Sequence, residues 1–500
     1  MKKPISTKSS WTPDVIKAYY EEIQRIGFEK FGLDIYPNQI ELVTSEQMLD
    51  AYAFHGLPVM YPHWSFGRDY IFNSNAYKKG RQGLAYEMII NSNPAIAYLM
   101  EENTTMMQIA VMAHACLGHN HFFKNNLLMR TWTNADSIQE YVKFAKAFVE
   151  ECEEKHGMKA VENILTAAHS VKFQGIDRYK RPPKLSPAKE KEKQLERMKN
   201  QQKQVNEMWR TLPPDRGGWY DAEEDKAIRI VKEPQENLLY FIEKNAPNLA
   251  PWERELIRIV RKLAQYLYPN ICTKTMNEGF ATFIHYGIVQ ELYSEGLIDE
   301  GFMMEFLRDH SHIIYQPGVH DKNYDGSLNP YYIGYNIFRE IKRVCENPTQ
   351  EDKDWFGDIA GSDWKTETLN AVRQFKDSSF IYQYLSPNLI RRLRLIEIQD
   401  VQDVDHYYVA EIHNEDGYKN IRKTMSQQYE MDHIIPSIVV ADADLKGNRT
   451  LFLKSNMRHE RSLDHAATIS VLSSIEYLWG YKVVLSIINE DGKEVSKYST

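Results

Sequence analysis

The chain has 500 residues, 43% hydrophobic and 26% charged, with a formal net charge of -8 at pH 7. That balance excludes a disordered or fibrous chain, and the acidic field excludes binding to nucleic acid or an anionic membrane through overall charge. No apolar run is long enough to span a bilayer, and no signal-like apolar segment follows the basic N-terminus, so a cytoplasmic protein with no membrane span and no nucleic-acid partner is expected.

In chain order, Trp11-Thr12-Pro13-Asp14 predicts the start of a helix running to Phe31, and Thr44-Ser45-Glu46-Gln47 has the form of a capping box. The Pro- and Gly-punctuated stretch from Gly56 to Gly67, which contains His63, predicts an ordered loop whose aromatic load covers something. Pro94 to Met100 predicts a strand that ends at Glu101 and Glu102. Thr105-Met106-Met107-Gln108 is a further capping box, and the helix it opens is apolar nearly all round, hence buried. Residues 182–215 shift to Lys, Glu, Gln and Pro and predict a charged insertion or linker. Pro251 opens a helix with a clear apolar period to Tyr268, and the next helix carries Asn277 to Leu292. Residues 1–394 thus predict a mainly helical body.

Residues 395–500 change period. Strands are predicted at His406–Ile412, Ser437–Ala441, Thr450–Lys454 and Lys482–Ile488, with helices at Tyr418–Gln428 and Leu463–Leu478. That order predicts a C-terminal ferredoxin-like βαββαβ domain, and the whole chain is α+β.

The chemistry concentrates in two segments. The first, His114-Ala115-Cys116-Leu117-Gly118-His119-Asn120-His121, lies inside the buried helix. Buried imidazoles together imply either a polar network or a metal. His114 and His119 are five residues apart, about 140° around an ideal helix, so a shared ion requires a distortion such as a π-bulge near Gly118. In the second segment Glu278, Ala281, Thr282 and His285 share one helical face, with Glu278 and His285 about 10.5 Å apart along the axis. One of these two should hold an ion while the other stands behind it or faces a substrate.

Together these segments resemble a zinc peptidase of the gluzincin kind, in which an edge strand precedes a helix with two His and a later Asn-Glu helix gives a third ligand. The resemblance implies a divalent transition metal, zinc first, on His114, His119 and Glu278, with His285 one step behind. It also implies that His320 or Tyr335 steadies an oxyanion. The pattern departs at Ala115, where the general base of H-E-x-x-H belongs, and by one inserted residue. Glu101 and Glu102 are the nearby carboxylates in sequence that could replace that base. Asn277, Cys116, His121 and His63 are candidates for supporting or substrate-facing positions, against the simpler reading of Cys116 as a core thiol.

Further blocks carry a second resemblance: Tyr36-Pro37-Asn38-Gln39-Ile40-Glu41, His63-Trp64-Ser65-Phe66-Gly67, Ala97-Tyr98-Leu99-Met100-Glu101-Glu102-Asn103-Thr104, Asp177-Arg178-Tyr179-Lys180-Arg181-Pro182 and Glu236-Asn237-Leu238-Leu239-Tyr240-Phe241-Ile242. With them the chain resembles the stage V sporulation protein R (SpoVR) family from about Trp11 to Ile488. That resemblance implies a link to spore cortex formation in spore formers. In other bacteria it implies a setting beside a serine protein kinase and a von Willebrand factor A-like protein, the expected partners. It brings no defined activity, so two functions are carried forward: a metal-dependent hydrolase acting on an amide or peptide bond, and a catalytically silent adaptor in kinase-linked signalling.

Overall fold

The computed structural model describes residues 3–54, 57, 60–78, 87–180, 236–318, 327–395, 398–399, 408–409, 414–443, 447–457 and 462–500. The 182–215 insertion and His320 lie outside the described residues, as does all of the expected His406–Ile412 strand except 408–409.

Helix α1 (Pro13–Phe31) starts where Thr12 accepts a hydrogen bond from Val15 N and Pro13 fits the first turn; it stops at Gly32, which takes the left-handed conformation at φ 66°. A three-stranded sheet follows, made of β1 (Asn38–Val43), β2 (Glu87–Ile90) and β3 (Ala95–Met100) in the order β1-β3-β2. β1 runs parallel to β3 and β2 antiparallel to it. The continuous apolar run of β3 is that of a central strand covered on both faces. This corrects the peptidase-like expectation: the strand just before the histidines is central, and the antiparallel edge strand is β2, one connection earlier.

From β3 the chain enters α2 (Thr105–Val111), capped by the Thr104 hydroxyl. It continues without a break into a π-helix, Met112–His119. The remaining helices that position the site are α3 (Pro251–Cys272), α4 (Lys274–Ser294), α5 (Glu300–Ile313), α6 (Pro330–Glu346) and α7 (Asp377–Tyr384). α4 lies between the π-helix and α6, in a large apolar core that also takes in α1 and α5. No helix among the described residues is long and apolar enough to cross a membrane.

The C-terminal residues form helix α8 (Glu415–Gln428) and then β4 (Ile438–Ala443), β5 (Leu451–Asn456), helix α9 (His465–Trp479), β6 (Val483–Ile488) and β7 (Glu494–Ser499). The four strands make a mixed sheet in chain order, with β5 and β6 parallel and the outer pairs antiparallel. The chain is therefore α+β, but the described sheet is not the ferredoxin-like split βαβ. That fold needs its first strand between the strands here called β5 and β6, which instead pair directly. Residues 408–409 pair with 398–399 in a separate ladder, and α8 packs on α7 through Met425 and its neighbours rather than on the sheet. Gly480 caps α9 in the left-handed conformation, φ 85°, as the sequence predicts. The sheet shares a second core with α3 and with the helices Ile138–His156 and Met158–Ser170.

Candidate metal centre

Three glycines and one alanine let the helices approach closely enough for short side chains to meet. A Cβ at Gly118 would lie 2.6 Å from Ala281 Cα, so the π-helix touches the α4 backbone itself. One at Gly279 would lie 2.4 Å from Gly334 Cα, so α4 and α6 touch in the same way. The first turn of α4 is held from outside: the Asp377 carboxylate accepts from Thr275 N at 2.9 Å and Met276 N at 2.8 Å, two of the donors every helix start leaves unpaired. Asn277 and Glu278 follow directly.

The π-helix does what the spacing demands. Its backbone bonds run between residues five apart, so His114 and His119 come to one face, with ring centroids 4.6 Å apart at 86°. Both are buried, as are most atoms of the carboxylates that meet them. His114 Nε2 stands 3.4 Å from Glu87 Oε1 and 3.6 Å from Glu278 Oε2, and His119 Nε2 stands 3.4 Å from Glu278 Oε2. These separations are long for charge-assisted hydrogen bonds. They match the edge of a tetrahedron: donors at about 2.1 Å from one ion stand about 3.4 Å from each other. Glu87 Oε2 and Glu278 Oε2 are buried without a hydrogen-bond partner, which is how carboxylates arranged for a cation look in its absence.

Glu87, His114 and His119 offer donor atoms all within 4.8 Å of one another and could hold a metal ion. Two imidazole nitrogens with carboxylate oxygens suit zinc and its first-row neighbours. The far side of each imidazole is fixed. His119 Nδ1 lies 2.9 Å from Asn277 Oδ1, an acceptor, so it carries the proton and turns Nε2 toward the carboxylates. His114 Nδ1 lies 2.8 Å from His285 Nδ1.

The protein field separates the two carboxylates. Burial pushes Glu87 up to about 8, with Glu278 adding to the rise and His119 opposing it. Burial would also raise Glu278, but the charge of His119 and the close approach of the His114 and His119 rings outweigh it and hold the group far down. Burial works against protonation of His119 too, yet Glu278 and then Glu87 raise it above its ordinary value. Burial lowers His114 to about 4.

The structure brings together His114, His119, Glu278, Asn277 and His285 from the sequence candidates. It places the others elsewhere. Glu101 and Glu102 are exposed on the turn after β3. Cys116 is fully buried in the large core, where burial pushes its thiol far up, and it is not part of the donor group. His121 Nδ1 accepts from Asp34 N at 2.8 Å and so ties the segment between α1 and β1 to the helix. His63 stacks on His169 in the second core region. Tyr335 packs edge-on against His310, with centroids 5.0 Å apart. Tyr331, one turn earlier, stands at the centre instead: its ring lies 6.2 Å from His114 at 26°, and burial together with the charges of Glu278 and Glu87 pushes its phenol well up. Sequence reasoning missed Glu87, Tyr331 and His310. For Glu87 the one signal was a charged residue opening the apolar run Glu-Met-Ile-Ile of a strand.

Fold and site together define an α+β protein whose helical body buries a two-histidine, two-carboxylate centre. The chain belongs to the SpoVR-like family: the family profile described as SpoVR like protein matches residues 10–434, and that described as SpoVR-like C-terminal domain matches residues 436–490. It is similar to the "Uncharacterized protein YcgB" of Escherichia coli (strain K12), 49% identical over 493 residues, 98% of this chain and 94% of the relative. No solved structure matches the chain.

Proposed function

We propose that this SpoVR-family protein is a metal-dependent hydrolase acting on an amide or peptide bond. In this reading His114, His119 and Glu278 hold zinc and Glu87 serves as the general base that Ala115 cannot be. The observation that carries it is the tetrahedral spacing of the imidazole nitrogens and the partnerless carboxylate oxygens. A cation held there would supply Lewis-acid polarisation of a carbonyl and of water. Glu87, raised to about 8 without an ion, would sit closer to neutrality beside a bound cation, where a carboxylate can take a proton from water and return it to a leaving amine. Tyr331, kept neutral, can donate a hydrogen bond to an oxyanion.

The second reading is a catalytically silent adaptor in kinase-linked signalling, in which all four side chains bind the ion. A site closed by four protein donors is structural, whereas a catalytic one keeps a position open. Metal analysis of untagged protein tests the shared premise, and His114→Ala or Glu278→Ala should abolish uptake. Cobalt-substituted protein separates the readings: added azide or a hydroxamate should shift its visible spectrum if a position is open. Glu87→Gln should then keep the metal. An unresponsive spectrum with metal lost in Glu87→Gln would reject the hydrolase and support the closed site.

A further inference from the structure

Behind His114 two more histidines continue in file. His285 Nδ1 meets His114 Nδ1 at 2.8 Å, and His285 Nε2 meets His310 Nδ1 at 3.0 Å. His310 Nε2 is buried and has no hydrogen-bond partner among the described residues. His285 and His310 both line a cavity of about 20 Å³, together with Met107, Phe306 and Asp309, which is room for one water molecule. The ring of His310 is gripped by Phe306, Tyr286 and Tyr335, with centroids 5.5, 4.9 and 5.0 Å away.

All three rings are buried, an environment that favours the neutral imidazole. A neutral imidazole has one proton and one lone pair, so each contact needs a donor on one side and an acceptor on the other. The file then has only two self-consistent arrangements. Pointing outward, His114 Nδ1–H donates to His285, His285 Nε2–H donates to His310, and His310 keeps its proton on Nε2. Pointing inward, every proton moves to the other nitrogen of its ring and His114 carries its proton on Nε2. Only the outward arrangement leaves His114 Nε2 with a free lone pair toward the carboxylates, as a metal ligand requires.

The geometry points to His310 as a positioning residue for the metal centre: acting through His285, it selects the tautomer of His114 and thereby sets the centre's affinity for a divalent cation. This rests on the metal-binding reading of His114, whichever of the two functions that serves. Converting one arrangement into the other leaves each ring with one proton. One proton leaves His114 Nε2 on the carboxylate side, each proton between rings shifts along its hydrogen bond toward His114, and one enters at His310 Nε2. The count balances without any further reactant.

The test is zinc and cobalt titration of full-length wild type, His310→Leu, His310→Gln and Phe306→Leu. Nitrogen-15 NMR of histidine-labelled protein would report the His114 tautomer. His310→Leu leaves a buried N–H of His285 unpaired in the outward arrangement but only a lone pair unpaired in the inward one, so the inward arrangement should dominate and affinity should fall 10- to 100-fold, the usual effect of losing an outer partner. His310→Gln, whose carbonyl can accept that proton, should recover most of the affinity. Phe306→Leu, which disturbs the cage but not the file, should bind like wild type. A His310→Leu protein that binds as tightly as wild type would overturn the inference, as would equal losses in His310→Leu and Phe306→Leu. Wild-type protein that takes up no metal would instead overturn the metal reading itself.

Discussion

Two clusters of buried or half-buried histidines stand out among the described residues, and they differ in what faces them. In the first, His114 and His119 face Glu87 and Glu278, each of which has a buried oxygen with no hydrogen-bond partner among the described residues. In the second, His63 lies flat on His169 at 4.5 Å and 10°, with its nitrogens 2.7 Å from Ser65 Oγ and 3.2 Å from Thr166 Oγ1, while His169 Nε2 meets Tyr61 Oη at 2.7 Å. Hydroxyls satisfy an imidazole as donor or acceptor and leave nothing over. Carboxylates accept only, and several of them around two imidazoles leave a charge that something positive must balance. Histidine density therefore does not define a site; the unbalanced acceptors beside it do.

The sharpest way to break this contrast is to remove one member of each cluster. Glu278→Ala or His119→Ala should reduce bound metal from stoichiometric to background, read by elemental analysis of untagged protein. His63→Ala should leave metal content unchanged and lower stability by about 1–3 kcal/mol in urea unfolding, the cost of a stacked, hydrogen-bonded side chain. Metal loss in His63→Ala would make the two clusters one system. Next in size is Gly118→Ala. Its methyl group meets the Ala281 backbone at 2.6 Å, where no side chain can swing away, so the π-helix and α4 must part. The expected result is about 1–3 kcal/mol of destabilisation with clearly weaker metal binding. Gly157→Ala, where no atom lies within 4 Å of the new methyl but φ is 87°, should carry a strain cost alone and leave metal binding intact.

Spacing alone gave the first cluster much of its outline. Histidines five residues apart in an apolar helix demanded an i to i+5 ladder, and the π-helix Met112–His119 is that ladder. The helical face of Glu278 and His285 was equally legible, because periodicity within one element is local information. Glu87 was not: it reaches His114 from another strand, and pairing across a sheet is set by register that no local pattern records. Tyr331 rather than Tyr335 lies beside His114, and the Gly279–Gly334 contact that sets how α6 meets α4 is recorded in no local pattern. The C-terminal region shows the same limit. Its helices and most of its strands were legible, but the pairing of β5 with β6 was not, and β7 was passed over because its alternation is of half-buried and exposed residues.

A smaller effect distinguishes the clusters by pH. In the metal-free protein Glu87 is raised to about 8 from an ordinary 4.5, mainly by burial. The folded state therefore holds a proton that the unfolded chain has released between those values, so stability falls as pH rises across that window, by up to about 1.4 kcal/mol per unit. Glu87→Gln should flatten that fall in urea titrations, and zinc should lessen it, because a bound cation favours the ionised carboxylate and draws its pKa down. Unchanged slopes in Glu87→Gln would mean the carboxylate is already ionised and balanced by some other group.

The second cluster should respond with the opposite sign. His63 is lowered to about 4 from 6.5, by burial first and then by the nearby Lys172 and Arg68 charges. Here the unfolded chain gains a proton that the folded state refuses, so stability falls as pH drops from about 6.5 toward 4. Arg68 is exposed and Lys172 half-buried, so water screens their charges and a slope under 1.4 kcal/mol per unit is expected. His63→Asn keeps a donor and an acceptor for Ser65 and Thr166 but cannot titrate, and it should reduce the acid-side slope while leaving the Glu87 slope untouched. If zinc altered the acid-side slope of a His114→Ala protein, the second cluster would be binding the ion as well, and hydroxyl-satisfied histidines would no longer be distinguishable from ligands by their partners.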